Sequence, residues 1–281
     1  MTQPMVSLGG NGALIHLALA NGFPPETYLP MLRPLMETYR MVCLPPRALW
    51  GDERVPPDLG YWDELAHDLL TGFADHGLRD VIAMGHSFGA VVSMIAAIEQ
   101  PERFKALILL DPTLLPPHVL DALRQMREAG TIDEGFHLAA RATKRQRTFE
   151  SYDAAYAYFN GRGAFKDWTD EAVRAYVHHG LSQAPDGRVT LKWSPEWEAY
   201  YFKTGYLQTW DMFPKFAALK LPTLILRGGT SDTYLPDAAE QVRELMPDAT
   251  HLEIPNHGHL FPQSAPAETA AAVGEWLSGL V

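Results

Sequence analysis

A chain of 281 residues, 47% of them hydrophobic, is long enough to bury one large core as a single domain carrying an inserted subdomain. Its formal net charge of -11 argues against nucleic acid or an anionic membrane surface as a partner, because both draw their affinity from clustered Lys and Arg. The lone cysteine, Cys43, excludes an internal disulfide, and residues 1–11 show no basic start followed by an apolar run; a cytoplasmic protein without a secretory signal is expected.

In chain order, residues 13–20 have strand texture, 26–38 follow the turn-forming Pro24-Pro25 as a helix, and 40–44 form the next strand, with Cys43 as a core thiol. One further strand fits before Ala13. Residues 61–76 read as a helix and 81–84, a short and partly β-branched apolar run, as a strand covered on both faces. A helix over 87–100 follows, with Val91, Met94, Ile95 and Ile98 on one buried face and Pro101 ending it. Residues 106–110 are again a strand. Alternation of this kind implies a parallel sheet with helices on both faces.

The alternation stops between Pro112 and about Pro222. Helical pieces are expected at 119–129, 151–159 and 170–180, with no buried strand. Aromatic residues crowd this stretch, among them Trp168, Trp193, Trp197, Tyr200, Tyr201 and Tyr206, as expected of an inserted lid in which most rings pack and a few roof a pocket. Strand texture returns at 223–226 and 251–254 around a helix at 236–246, and 265–280 closes the chain as a helix.

The segment 81–98 carries no formal charge apart from His86 and is long enough to suggest a membrane span. Gly85, Gly89 and His86 instead divide it into a strand-length half and a helix-length half, so it is expected to be buried core.

The division falls on Gly85-His86-Ser87-Phe88-Gly89. A Gly-x-Ser-x-Gly turn between strand and helix forces its serine into a strained conformation and presents Oγ at the top of the sheet, which makes Ser87 the candidate nucleophile. A serine hydroxyl needs a histidine to take its proton and a carboxylate to orient that histidine, and in open parallel sheets such groups gather beyond the carboxyl ends of the strands. Asp232, after the strand 223–226, and His259, after the strand 251–254, meet this requirement. Asp111, after the strand 106–110, is the alternative acid, and His257 is the alternative base. His251, His257 and His259 lack the spacing of known zinc motifs, so no metal is expected. His16 reads as a core histidine and His86 as packing inside the turn. The basic cluster Arg141, Lys144, Arg145 and Arg147 fits a solvated helix face, or a clamp for an anionic substrate.

On these motifs the chain resembles the α/β-hydrolase fold family, in its cap-bearing branch, over essentially its whole length. The nucleophile turn, the acid loop, Gly258-His259 ahead of the last helix, and Asn21-Gly22-Phe23-Pro24 after the first long strand fall where that family places its working parts. The resemblance implies an α/β fold: a mostly parallel, doubly wound sheet from residues 1–111 and 223–281 with a helical cap inserted at 112–222. It implies catalytic Ser87, Asp232 and His259, and an oxyanion hole formed by the backbone N–H groups of Phe23 and Phe88. Many relatives have His-Gly where this chain has Asn21-Gly22, a departure that bears on the conformation of that loop.

The function expected is hydrolysis of a carboxylic ester or related acyl compound bearing an apolar or aromatic group, through an acyl-enzyme and without a cofactor. Two alternatives stay open. The same triad can cleave a carbon-carbon, lactone, thioester or amide bond, or the fold can serve as a non-catalytic binder of small ligands. Monomer and homodimer are both compatible with the sequence.

Overall fold

The structure is a computed structural model that describes residues 2–51, 54–205 and 207–280; Tyr206, one of the aromatics expected in the lid, lies outside them. Ten strands are present among the described residues: β1 (Val6–Gly9), β2 (Ala13–Ala18), β3 (Tyr39–Cys43), β4 (Val81–His86), β5 (Phe104–Leu110), β6 (Thr148–Phe149), β7 (Leu181–Gln183), β8 (Val189–Leu191), β9 (Thr223–Gly228) and β10 (Thr250–Ile254). Seven of them form one sheet in the order β1-β3-β2-β4-β5-β9-β10. Every pairing is parallel except that of β1 with β3.

The centre of the sheet is apolar because it is covered on both faces. All residues of β4 are buried, and β4 lies between β2 (Ala18 opposite Gly85) and β5 (His86 opposite Leu110). The helices Trp62–Asp75 and Phe88–Glu99 pack on each other, and Pro266–Ser278 packs on the short helix Leu29–Leu32. The apolar stretch 81–98 is thus β4, a sharp turn and a helix. No described helix is long and apolar enough to cross a membrane.

The chain leaves the sheet after Leu110 and re-enters it at Thr223, where β9 pairs directly with β5. Between these points lie the helices Pro117–Glu128, Tyr152–Phe159, Asp170–Gly180 and Pro195–Lys203. They also include a small antiparallel sheet, β6-β8-β7. That sheet corrects the expectation of a stretch without strands: its members are two or three residues long, too short for a periodic signal.

The helix expected over 26–38 is also corrected. The segment is a 3-10 turn (Pro25–Tyr28), one α-helical turn (Leu29–Leu32) and a second 3-10 turn (Leu35–Glu37). Pro30 and Pro34 remove the donors that a continuous helix needs. The apolar periodicity survives the break, since Tyr28, Met31, Leu32 and Leu35 are all buried.

Because β2, β4, β5, β9 and β10 run in one direction, their carboxyl ends share one edge of the sheet. The loops carrying Phe23, Ser87, Asp111, Asp232 and His259 all leave from that edge.

Candidate active site

Ser87 joins β4 to the helix Phe88–Glu99 with φ 59° and ψ -123°, a conformation that costs a non-glycine residue on the order of 1–3 kcal/mol. The surrounding backbone holds it there: Ser87 N–H donates to the Leu110 carbonyl at 3.0 Å. The flanking glycines are needed for close approach. A Cβ on Gly85 would lie 2.5 Å from Ala90 Cα, and one on Gly89 would lie 2.5 Å from the Leu19 carbonyl oxygen. The second contact presses the nucleophile turn onto the chain that leads into Asn21-Gly22-Phe23. Ser87 is 9% exposed.

His259 reaches Ser87 from the loop after β10, with Nε2 2.9 Å from Oγ. Its Nδ1 lies 2.6 Å from Asp111 Oδ2. A carboxylate only accepts, so Nδ1 carries the proton and Nε2 is left as an acceptor for the serine hydroxyl. The carboxyl group of Asp111 is fully buried and takes two further donors, Gly228 N–H on Oδ1 at 2.7 Å and Ser231 Oγ on Oδ2 at 2.5 Å. Its φ of 42° turns the side chain inward from the end of β5.

The expectation for Asp232 is therefore corrected: the carboxylate beside His259 is Asp111. Ser231 and Asp232 are adjacent but face opposite ways. Ser231 points inward, donating to Asp111 and accepting the N–H groups of Thr233 and Tyr234, both at 3.1 Å. That turn sends Asp232 out to solvent, where it accepts a bond from Thr233 Oγ1. His257 bonds Ser264 Oγ at 2.9 Å, so it is His259 that faces the serine.

Phe88 is the first residue of its helix, where a backbone N–H has no intrahelical acceptor and is free for an anion. Phe23 N–H is directed at the Ala20 carbonyl at 3.4 Å, closing the turn after β2 at the long limit of a hydrogen bond. The side chains of these two residues anchor separate aromatic clusters. Phe23 contacts Phe165, Trp168 and Tyr176. Phe88 contacts Trp62 and stacks on Tyr201, against which Trp193 and Trp197 pack.

Asn21, in the loop after β2, donates through Nδ2 to the Glu198 carbonyl at 2.9 Å. The Glu198 carboxylate pairs with Arg145, which also bonds Tyr176 Oη. Of the basic cluster, Arg141 and Lys144 are exposed as a solvated face requires, Arg147 pairs with Glu196, and Arg145 turns inward.

His86 does more than fill space. Its Nε2 lies 3.0 Å from the His259 carbonyl, which only accepts, so Nε2 carries the proton. Its Nδ1 accepts from Tyr28 Oη at 2.7 Å, and Tyr28 Oη accepts Ala20 N–H at 3.0 Å. The chain from Ala20 through Tyr28 and His86 to His259 ties together the loop after β2, the nucleophile turn and the histidine loop. Burial pushes the His86 pKa well below the ordinary imidazole value, aided by repulsion from His259 and opposed by the bond to the His259 carbonyl. Tyr28 on His86, Thr113 on Ser87 and Ser231 on Asp111 were not visible in the sequence: each acts through one hydroxyl in a loop or turn.

Residues 14–272 match the Alpha/beta hydrolase family. The chain is 25% identical over 223 residues to 2-(acetamidomethylene)succinate hydrolase of Mesorhizobium japonicum, covering 79% of this chain and 73% of that protein. It is 22% identical over 227 residues to Ethanol acetyltransferase 1 of Hanseniaspora uvarum, covering 76% of this chain but only 64% of that relative's length. The crystal structure of E-2-(acetamidomethylene)succinate hydrolase shares the fold, with a TM-score of 0.79 at 21% identity over 98% of this chain and 94% of that one. A match running from β2 into the closing helix, on a sheet of this order, makes the chain a member of the alpha/beta hydrolase family and an enzyme of hydrolase type.

Proposed function

We propose that the protein is a serine hydrolase that cleaves a carboxylic ester or related acyl compound, with Ser87 as nucleophile, His259 as general base and acid, and Asp111 as the orienting carboxylate. One observation carries this reading: the unbroken hydrogen-bonded series Ser87 Oγ, His259 Nε2, His259 Nδ1, Asp111 Oδ2, with links of 2.9 and 2.6 Å. Oγ attacks the acyl carbon as its proton passes to Nε2. The N–H groups of Phe88 and Phe23 receive the negative oxygen, the latter by giving up its long bond to Ala20. Nε2 then protonates the leaving group, and a water deprotonated by the same nitrogen releases the acid.

Residues 112–222 act as the cap over this site. The aromatic rings packed on the side chains of Phe23 and Phe88, the two residues whose N–H groups would form the oxyanion hole, support an apolar or aromatic acyl group. The names of the relatives, a hydrolase of an acetamido-bearing succinate and an acetyltransferase, agree with acyl chemistry without choosing the bond.

The test is labelling with a fluorophosphonate probe located by peptide mass spectrometry, followed by rates on p-nitrophenyl esters of increasing chain length and on matched amides and thioesters. The label is expected on Ser87 and absent from Ser87→Ala and His259→Ala. No adduct and no turnover on any acyl compound would leave a small-ligand-binding protein of the same fold as the better reading.

A further inference from the structure

Ser87 Oγ has a second partner. Thr113 Oγ1 lies 3.0 Å from it, against 2.9 Å for His259 Nε2. Counting protons decides the direction of this bond. Asp111 only accepts, so His259 donates through Nδ1 and its Nε2 must take the one hydroxyl proton of Ser87. Thr113 therefore donates to a lone pair of the nucleophile.

The threonine is held for this contact. Its N–H donates to the Ser87 carbonyl at 3.3 Å, and Asp111, at φ 42° with its N–H on the Leu226 carbonyl at 2.8 Å, bends the chain back toward Ser87 through Pro112. Sheet order sets its side of approach. The oxyanion loop follows β2 and Thr113 follows β5, and these strands flank β4 on opposite sides. Thr113 thus approaches the serine from the flank shared with His259.

We propose that Thr113 is a further catalytic residue, donating to Ser87 Oγ in the resting enzyme and binding the hydrolytic water once Oγ is acylated; this rests on Ser87 being the nucleophile. Oγ attacks the acyl carbon with its other lone pair, and once its proton has passed to His259 the ester oxygen left behind is a poorer acceptor for Thr113. The threonine hydroxyl is then free. An incoming water gives one proton to His259 Nε2 and directs its other to Thr113 Oγ1, which accepts. As the water oxygen bonds to the acyl carbon and the bond from that carbon to Oγ breaks, Nε2 returns its proton to Oγ, and Thr113 again donates to Oγ.

The experiment is stopped-flow hydrolysis of p-nitrophenyl acetate by the wild type, Thr113→Val and Thr113→Ser, with acyl-enzyme measured by intact mass. Thr113→Val keeps the shape and removes the hydroxyl. It is expected to keep the burst, slow deacylation by about tenfold, the upper range for one hydrogen bond, and accumulate acyl-enzyme. Thr113→Ser is expected to restore deacylation to within about twofold, because the hydroxyl and not the methyl is required. Wild-type deacylation in Thr113→Val would overturn the proposal, as would equal loss of acylation and deacylation without rescue by serine, which marks a structural role. A wild-type enzyme that takes no fluorophosphonate on Ser87 overturns the nucleophile assignment itself, and Thr113 with it.

Discussion

Asp111 Oδ2 lies 2.6 Å from His259 Nδ1 across a sequence separation of 148 residues, while Asp232 faces solvent one residue beyond the serine that hydrogen-bonds the same carboxylate. The position at the end of β5, and not the one after β9, holds the histidine.

Replacing Asp111 by Asn keeps the shape but presents the wrong group to Nδ1–H, and is expected to lower kcat by about 10^3-fold or more. Asp232→Asn is expected to stay within about twofold of wild type. Steady-state kinetics on one p-nitrophenyl ester settle the pair; the reverse ranking would return the role to Asp232.

The bonds of Tyr28 to Ala20 and to His86 are buried on both sides and that of His86 to the His259 carbonyl is part-buried, so breaking them leaves polar groups unpaired. Tyr28→Phe strands Ala20 N–H and is expected to cost about 1–3 kcal/mol in urea unfolding. His86→Leu strands Tyr28 Oη and the His259 carbonyl and should cost more. Both should also lower kcat, because two of the loops they join hold reacting groups. A Tyr28→Phe variant as stable and active as wild type would show the chain to be dispensable.

Arg145 and Glu198 are paired with side chains 16% and 14% exposed. Arg145→Met leaves a carboxylate with little water and no counter-ion, an expected loss of about 3–5 kcal/mol. The double variant Arg145→Met/Glu198→Leu should recover much of it, since the unpaired charge is gone. Chemical denaturation of all four proteins closes the cycle. Strict additivity of the two single losses would mean that the ion pair is not what couples the residues.

Acid is expected to weaken the fold through two histidines buried neutral. Burial lowers the His16 pKa from 6.5 to about 3, and His86 moves the same way. Below 6.5 the unfolded chain takes up protons that the folded chain refuses, so the stability they contribute is complete above 6.5 and is lost as pH falls, for His16 down to about 3. His16 alone gives a slope of roughly 1.4 kcal/mol per pH unit within that window, and His86 adds to it in the same direction. Urea midpoints measured at pH 7, 5.5 and 4.5 should fall in step. A flat profile over that range would mean that both imidazoles protonate in place.

Much of the fold was legible because it depends on local regularities. The apolar run before Gly85-His86-Ser87-Phe88-Gly89 and the helical spacing after it are periodic signals, and the structure places β4 and the helix Phe88–Glu99 there. The elements that deviated had weak or conflicting local signals. Residues 26–38 carry helical periodicity and helix-breaking prolines together, and β6 to β8 are too short to have a period.

From the sequence alone came the strained serine between strand and helix, the histidine after the last strand and the order of the sheet's building blocks, each set by residues within a few positions of one another. The choice between Asp111 and Asp232 could not come from it. Both follow a strand of the same sheet, and the difference lies in side-chain direction: a left-handed φ at Asp111 turns its carboxylate inward, and the inward Ser231 turns Asp232 outward. The partners Thr113 and Tyr28 were decided in the same way, by which hydroxyl the packed loops bring within 3 Å of the site's groups. Such contacts join residues far apart in the chain, and only the folded sheet, whose parallel strands end along one edge, brings them together.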